Sequence, residues 1–158
     1  MSDAIKHECG IALLRLKKPL EFYLKKYGTA LYGLNKMYLL MEKQHNRGQD
    51  GAGLANIKFD VAPGTRYISR YRSVKNQPIK DIFSHINKRF ENLHTNHPEK
   101  LTDVDYLKSN EAFTGELFLG HLRYGTFGGN KVENCHPFLR QNNWMTRNLV
   151  VAGNFNLT

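Results

Sequence analysis

A layered α+β fold is predicted by three features of this 158-residue sequence. Short apolar runs bounded by glycine, proline and polar residues read as strands. Two longer stretches repeat apolar residues at helical spacing. The elements alternate as strand, helix, strands, helix, strands, which builds layers rather than a bundle. Apolar residues make up 41% and charged residues 23%, a composition that excludes disorder, collagen and coiled coil. A chain of this length buries about 70% of the surface its extended form exposes, enough for one domain.

Each element has a local reason. Residues 9–16 (CGIALLRL) form an apolar run expected to be a strand buried on both faces. Residues 17–30 are punctuated by Lys17, Lys18, Pro19 and Gly28 and carry no predicted element. From 31 to about 45, Leu31, Leu34, Tyr38 and Met41 recur at helical spacing, widened by Met37 and Leu40. That helix ends before Gly48. Residues 51–58 and 65–72 read as two strands joined by a turn around Asp60, Pro63 and Gly64. A second helix spans about 78–93, with Ile79, Ile82, Phe83, Ile86, Phe90 and Leu93 on one face. Residues 94–113 are polar, lack a clear period and are expected to be a loop or peripheral insertion. A strand over 117–124 places His121 and Arg123 on one face. After a glycine-rich turn and the segment 133–138, the last strand falls at 148–153. The chain stops at Asn156-Leu157-Thr158 straight after that strand, so it is expected to be a fragment of something longer.

Charge and targeting narrow the function. The formal charge is +9, but the excess is spread along the whole chain, with no basic tail or arginine-rich block. Nucleic-acid binders concentrate their cations on one stripe, so no nucleic-acid partner is expected. No apolar run reaches the roughly 18 residues of a membrane span, and the first ten residues lack a secretory core. A cytoplasmic protein with no membrane partner is the expectation. Two cysteines, Cys9 and Cys135, do not make a disulfide scaffold.

Five segments could carry chemistry. Cys9 is readable as a buried core residue. It also follows eight mostly polar residues, so their removal as a leader or propeptide would make it the N-terminus. Its own amine would then act as base for its thiol, and Gly10 would allow close approach of substrate. Residues 45–53 pack glycines between helix and strand, with Arg47 and Asp50 either forming a local ion pair or bracing a site. In residues 120–128, Arg123 can offer its planar fork to a carboxylate, or simply be a surface-strand arginine. In residues 134–138, Cys135 and His136 lack the spacing of a zinc site, and no metal is expected. Asn154, just past the last strand, could donate its amide to an oxyanion, or close a plain turn.

Taken in order, Cys9-Gly10-Ile11, residues 47–53 (RGQDGAG), residues 120–128 (GHLRYGTFG), residues 134–138 (NCHPF) and residues 154–158 (NFNLT) resemble the class II glutamine amidotransferases, which are N-terminal-nucleophile hydrolases. Within that superfamily the motifs look most like the amidophosphoribosyltransferase branch. The resemblance covers residues 9–158 except the middle, about 59–113, which it implies is a family-variable insertion. It implies a four-layer αββα sandwich, truncated here at its C-terminal end.

The roles it implies are specific. Cys9 is the nucleophile and Asn154 the oxyanion donor. Arg123 binds the substrate carboxylate, while Tyr124 and Thr126 shape the pocket and His136 lines or supports it. Gly10, Arg47 and Asp50 support the nucleophile. Phe155 stands where the family has a glycine whose N–H is the second oxyanion donor. The implied reaction is hydrolysis of glutamine to glutamate and ammonia, the ammonia passing to a synthase domain absent from this chain. There, Mg2+ and phosphoribosyl pyrophosphate are expected, with no cofactor in the present segment. Coupling to another acceptor such as a sugar phosphate, a non-catalytic regulatory role, and a homo-oligomer in the full-length protein stay open.

Overall fold

The computed structural model describes residues 8–125 and 129–155. Its main sheet has four strands, β1 (Gly10–Arg15), β2 (Gly51–Ile57), β3 (Ile68–Ser73) and β4 (Leu117–Arg123), in the order β1-β4-β2-β3. Every neighbouring pair is antiparallel. Helices α1 (Leu20–Tyr27), α2 (Tyr32–Glu42), α3 (Pro78–Asn96) and α4 (Val104–Asn110) complete the helical part. A short hairpin-like pair, β5 (Phe138–Arg140) and β6 (Leu149–Val151), forms a second sheet.

The period of two along each strand decides what each sheet face meets. Ala12, Ala52, Leu54, Phe118 and Leu122 are buried on the face covered by α2 and α3. Helix α2 lies over β1 and β4, and α3 over β2 and β3. The approach of α2 is close because two glycines allow it. A Cβ at Gly120 would come within 2.9 Å of Met37 Cε, and one at Gly33 within 2.6 Å of the Phe118 ring. Helix α3 begins at Pro78 and buries Ile79, Ile82, Phe83, Ile86, Phe90 and Leu93, the stripe its sequence spacing predicts.

The opposite face of the main sheet carries residues 133–137 and the β5–β6 pair. Leu13, Ile57, Leu117 and Leu119 of the main sheet share one crevice there with Met145, Asn148 and Val150. The described residues therefore stack as helices, a four-stranded sheet and a two-stranded sheet. The α+β class is as expected, while a second helical layer is not found among the described residues.

Five local expectations are corrected. The first strand is not buried on both faces: Ile11 and Leu13 are 44% and 67% exposed, because β1 is an edge strand with helices on one side only. Residues 17–30 do form a helix, α1. Pro19 stands at its start, Glu21 lies in its first turn, Lys25 and Lys26 in its last, and Gly28 ends it at φ 74°, each suited to its end of the helix dipole. Residues 94–113 are not a loop. They hold the end of α3, a 3-10 turn and α4, whose Asp103 cap accepts the Tyr106 N–H at 2.8 Å. Val104, Leu107 and Phe113 enter the core. The last strand is shorter than expected, and β5 lies where no strand was predicted.

An ion pair between the partly buried Lys108 and the buried Glu116 fastens α4 to the main sheet. Lys108 Nζ lies 2.6 Å from Glu116 Oε1 and also donates to the Phe59 carbonyl at 2.5 Å. The other carboxylate oxygen accepts the Phe59 N–H at 2.9 Å. Lys58, also buried, donates to the Lys108 carbonyl at 2.7 Å, and burial pushes its ammonium pKa down.

Candidate active site

Cys9 stands one residue before β1, where the Gly10–Leu122 register brings it beside the end of β4. Alternation puts its side chain on the face shared by His121 and Arg123. The Tyr124 N–H donates to Cys9 Sγ at 3.5 Å. Gly10 is packed tightly: a Cβ there would lie 3.0 Å from Gln44 Oε1 and 3.3 Å from Arg47 Cβ. Arg47 thus packs against the start of β1 beside Cys9, and its side chain forms no ion pair with Asp50.

Asp50 instead ties two loops together. Its N–H donates to the Arg123 carbonyl at 3.1 Å, and its Oδ2 accepts the Gly125 N–H at 2.7 Å. Gly48 is pressed on the same strand end, where a Cβ would lie 2.6 Å from the Arg123 carbonyl oxygen. The glycines in residues 48–53 serve close packing. Arg123 itself is 3% exposed, so it is not a surface-strand arginine.

The second sheet supplies the rest. Residues 133–137 cross β2 at Gly53, where a Cβ would run into the His136 carbonyl. The buried His136 ring lies 4.5 Å from the His121 ring, 4.3 Å from Phe138 and 5.0 Å from Phe155, centroid to centroid. Its Nδ1 accepts the Gly153 N–H at 3.2 Å, so a neutral His136 carries its proton on Nε2. Asn154 follows immediately.

These segments enclose a cavity of about 100 Å³ lined by Cys9, His121, Arg123, Tyr124, Asn134, His136, Asn154 and Phe155. Six of the sequence-predicted site residues thus meet in one place. Thr126 lies outside the described residues. Phe155 is 40% exposed and has no positive φ, which among described non-glycine residues is confined to Asp60 and Phe113. Its ring covers Gly153.

Two lining residues were not anticipated in site roles, His121 and Asn134. The signal for His121 was available, since it sits two residues before Arg123 on one strand and must share its face. His121 is 1% exposed, and neither ring nitrogen has a hydrogen-bond partner among the described residues. Burial, then the nearby positive charge of His136 and Arg123, pushes its pKa down to about 4. Burial also lowers that of His136, helped by Arg123 and Arg72. Both rings are therefore neutral near pH 7. Cys135 is fully buried with Sγ 3.9 Å from the Ser73 and Lys131 carbonyls, and burial raises its thiol pKa. Only Cys9 of the two cysteines lines the cavity. Among the described residues, no three His, Cys, Asp or Glu side chains converge as a metal site, and no helix is long and apolar enough to cross a membrane.

Fold and cavity together define an α+β protein whose half-buried cysteine, just ahead of an edge strand, faces a buried arginine and an asparagine brought from a second sheet. Among proteins of known activity, an amidophosphoribosyltransferase of Methanocaldococcus jannaschii is 31% identical to this chain over 120 residues, 76% of the chain and 18% of that protein. The chain thus spans under a fifth of that relative's length. No family model matches the sequence, and no solved structure matches it.

Proposed function

We propose that this chain is the glutamine-hydrolysing part of an amidotransferase of the amidophosphoribosyltransferase type. The observation that carries the reading is the convergence of Cys9, Arg123 and Asn154, from widely separated segments, on one small cavity. The partial similarity to an amidophosphoribosyltransferase supports the same reading.

The chemistry follows from the residues. With residues 1–8 removed, the α-amine of Cys9 takes the thiol proton. The thiolate attacks the side-chain carboxamide carbon of glutamine, whose α-carboxylate pairs with Arg123. The Asn154 amide donates to the developing oxyanion, an interaction worth about 3–4 kcal/mol in such sites. The C–N bond then breaks, ammonia leaves with the proton held by the α-ammonium, and a γ-glutamyl thioester remains. Water cleaves it to glutamate and regenerates the thiol. Neutral His121 and His136 add no charge competing with Arg123 for the substrate carboxylate. In this reading the ammonia displaces pyrophosphate from phosphoribosyl pyrophosphate on a separate synthase domain, with Mg2+ held there.

The test is to incubate full-length protein with a glutamine-like electrophile and map the modified peptide, alongside the mass of the mature N-terminus. Adduct on Cys9 and a chain starting at Cys9 are expected. Adduct on Cys135, or full glutamine hydrolysis by a chain that retains residues 1–8, would reverse the assignment. Phe155 favours a second reading, a non-catalytic relative, because it replaces a glycine donor. That reading predicts no hydrolysis of glutamine at all.

A further inference from the structure

Strand β3 projects Arg70 and Arg72 onto the face away from the helices. The register aligns Arg72 with Gly53 and His121, and Arg70 with Ala55 and Leu119. Among the described residues, neither arginine forms an ion pair with an acid. Both spend donors on backbone. Arg72 Nη1 donates to the Cys135 carbonyl at 2.8 Å and the Glu133 carbonyl at 3.2 Å, and Arg70 Nη1 to the Pro137 carbonyl at 3.4 Å. Between them, the His136 carbonyl is seated on Gly53. Residues 133–137 are thus fixed to the sheet through the alternating carbonyls of Glu133, Cys135 and Pro137. The His136 ring is left to point at the cavity, where Nδ1 accepts the Gly153 N–H.

We propose that Arg72 is a positioning residue for Asn154: by clamping the Glu133 and Cys135 carbonyls it sets the His136 ring, and His136 sets the Gly153–Asn154 turn. This rests on reading the cavity as the glutaminase site, since only there does the direction of the Asn154 amide matter. Arg72 touches neither substrate nor reacting atoms. Its contribution reaches the chemistry through two hydrogen-bonded steps, and displacing a catalytic group by about 1 Å can cost on the order of a hundredfold in rate.

The experiment uses full-length protein and compares wild type with Arg72→Met, Arg72→Lys, Asn154→Ala and the Arg72→Met/Asn154→Ala double variant. Two reactions at Cys9 are followed. Glutamine hydrolysis passes through an oxyanion, whereas alkylation by iodoacetamide, scored by peptide mass, does not. Arg72→Met should lower kcat for glutamine about 10- to 100-fold, with KM within threefold and Cys9 alkylation within twofold of wild type. Arg72→Lys, which keeps the charge but not the planar donor, should recover part of the loss. The double variant should be little worse than Asn154→Ala, because both remove one interaction. An Arg72→Met kcat within twofold of wild type overturns the proposal. So does a parallel collapse of kcat, Cys9 alkylation and Tm in both Arg72 variants, which is the signature of general destabilisation, and so does full additivity in the double variant. Absence of glutamine hydrolysis in wild type overturns the glutaminase reading itself, an outcome distinct from failure of the Arg72 variants alone.

Discussion

The two thiols sit in opposite environments, and their reactivity should divide accordingly. Cys9 is half-buried and lines the cavity, whereas Cys135 is sealed against Ser73 and Lys131 with its pKa raised. A thiol reacts as its thiolate, so a limiting dose of an alkylating agent should label Cys9 first, as read by peptide mass. Cys9→Ser should lower glutamine hydrolysis by three orders of magnitude or so, while Cys135→Ala should leave it within a few-fold. His121 makes a separate prediction. Its folded pKa of about 4 lies below the ordinary 6.5, so the unfolded chain binds the extra proton as pH falls. The stability associated with a neutral His121 is full above about pH 6.5 and is lost progressively toward pH 4, up to about 3 kcal/mol. Urea titrations across that range should show the loss, and His121→Asn should flatten it. At this scale the meeting of Cys9, Arg123 and Asn154 at one cavity was legible because each stands in a short motif whose side-chain identities mark it. Arg72 was not, because it binds carbonyls, and a carbonyl leaves no mark on the sequence.

Among the elements, those with a long stripe were legible and those of two turns were not. Six of the seven buried residues of α3, from Ile79 to Leu93, repeat over about four helical turns, which fixes both its type and its buried face. Helix α4 has seven residues with Val104 and Leu107 buried, too short a span for periodicity to rise above chance. Its cap was the available signal. Asp103→Ala should cost about 1 kcal/mol, measurable by chemical denaturation, without moving KM for glutamine. The β2 strand makes the contrasting case. Gly53→Ala would drive a methyl into the His136 carbonyl, displacing residues 133–137. A stability loss of roughly 1–3 kcal/mol should come with a fall in glutamine hydrolysis, whereas Ala55→Gly, on the neighbouring register position, should leave catalysis intact.

For the molecule as a whole, the order of elements predicted α+β layering, but not which face of the sheet each layer would take. That choice is made by alternation in β1, β2 and β4, which sends Ala12, Leu54 and Leu122 to the helices and His121 and Arg123 to the other side. The middle of the chain, without a recognisable motif, turns out to anchor both layers. It contributes α3 and α4 to one and the β3 arginines to the other. Its tether is the Lys108–Glu116 pair. Removing one partner strands the other in a nearly dry setting, so Lys108→Met should cost about 3–5 kcal/mol, and Lys108→Met/Glu116→Leu should recover much of it in the same denaturation assay.

Because Cys9 and Asn154 reach the same 100 Å³ space from opposite ends of the described sequence, the cavity is a long-range closure and exists only once the chain between has found its place. A polypeptide interrupted just before residue 154 would possess Cys9, His121, Arg123 and His136 but lack the Asn154 and Phe155 side of the cavity. In the proposed reading, glutamine hydrolysis would therefore be absent until the Asn154 turn had docked, rather than accumulating as the earlier segments fold.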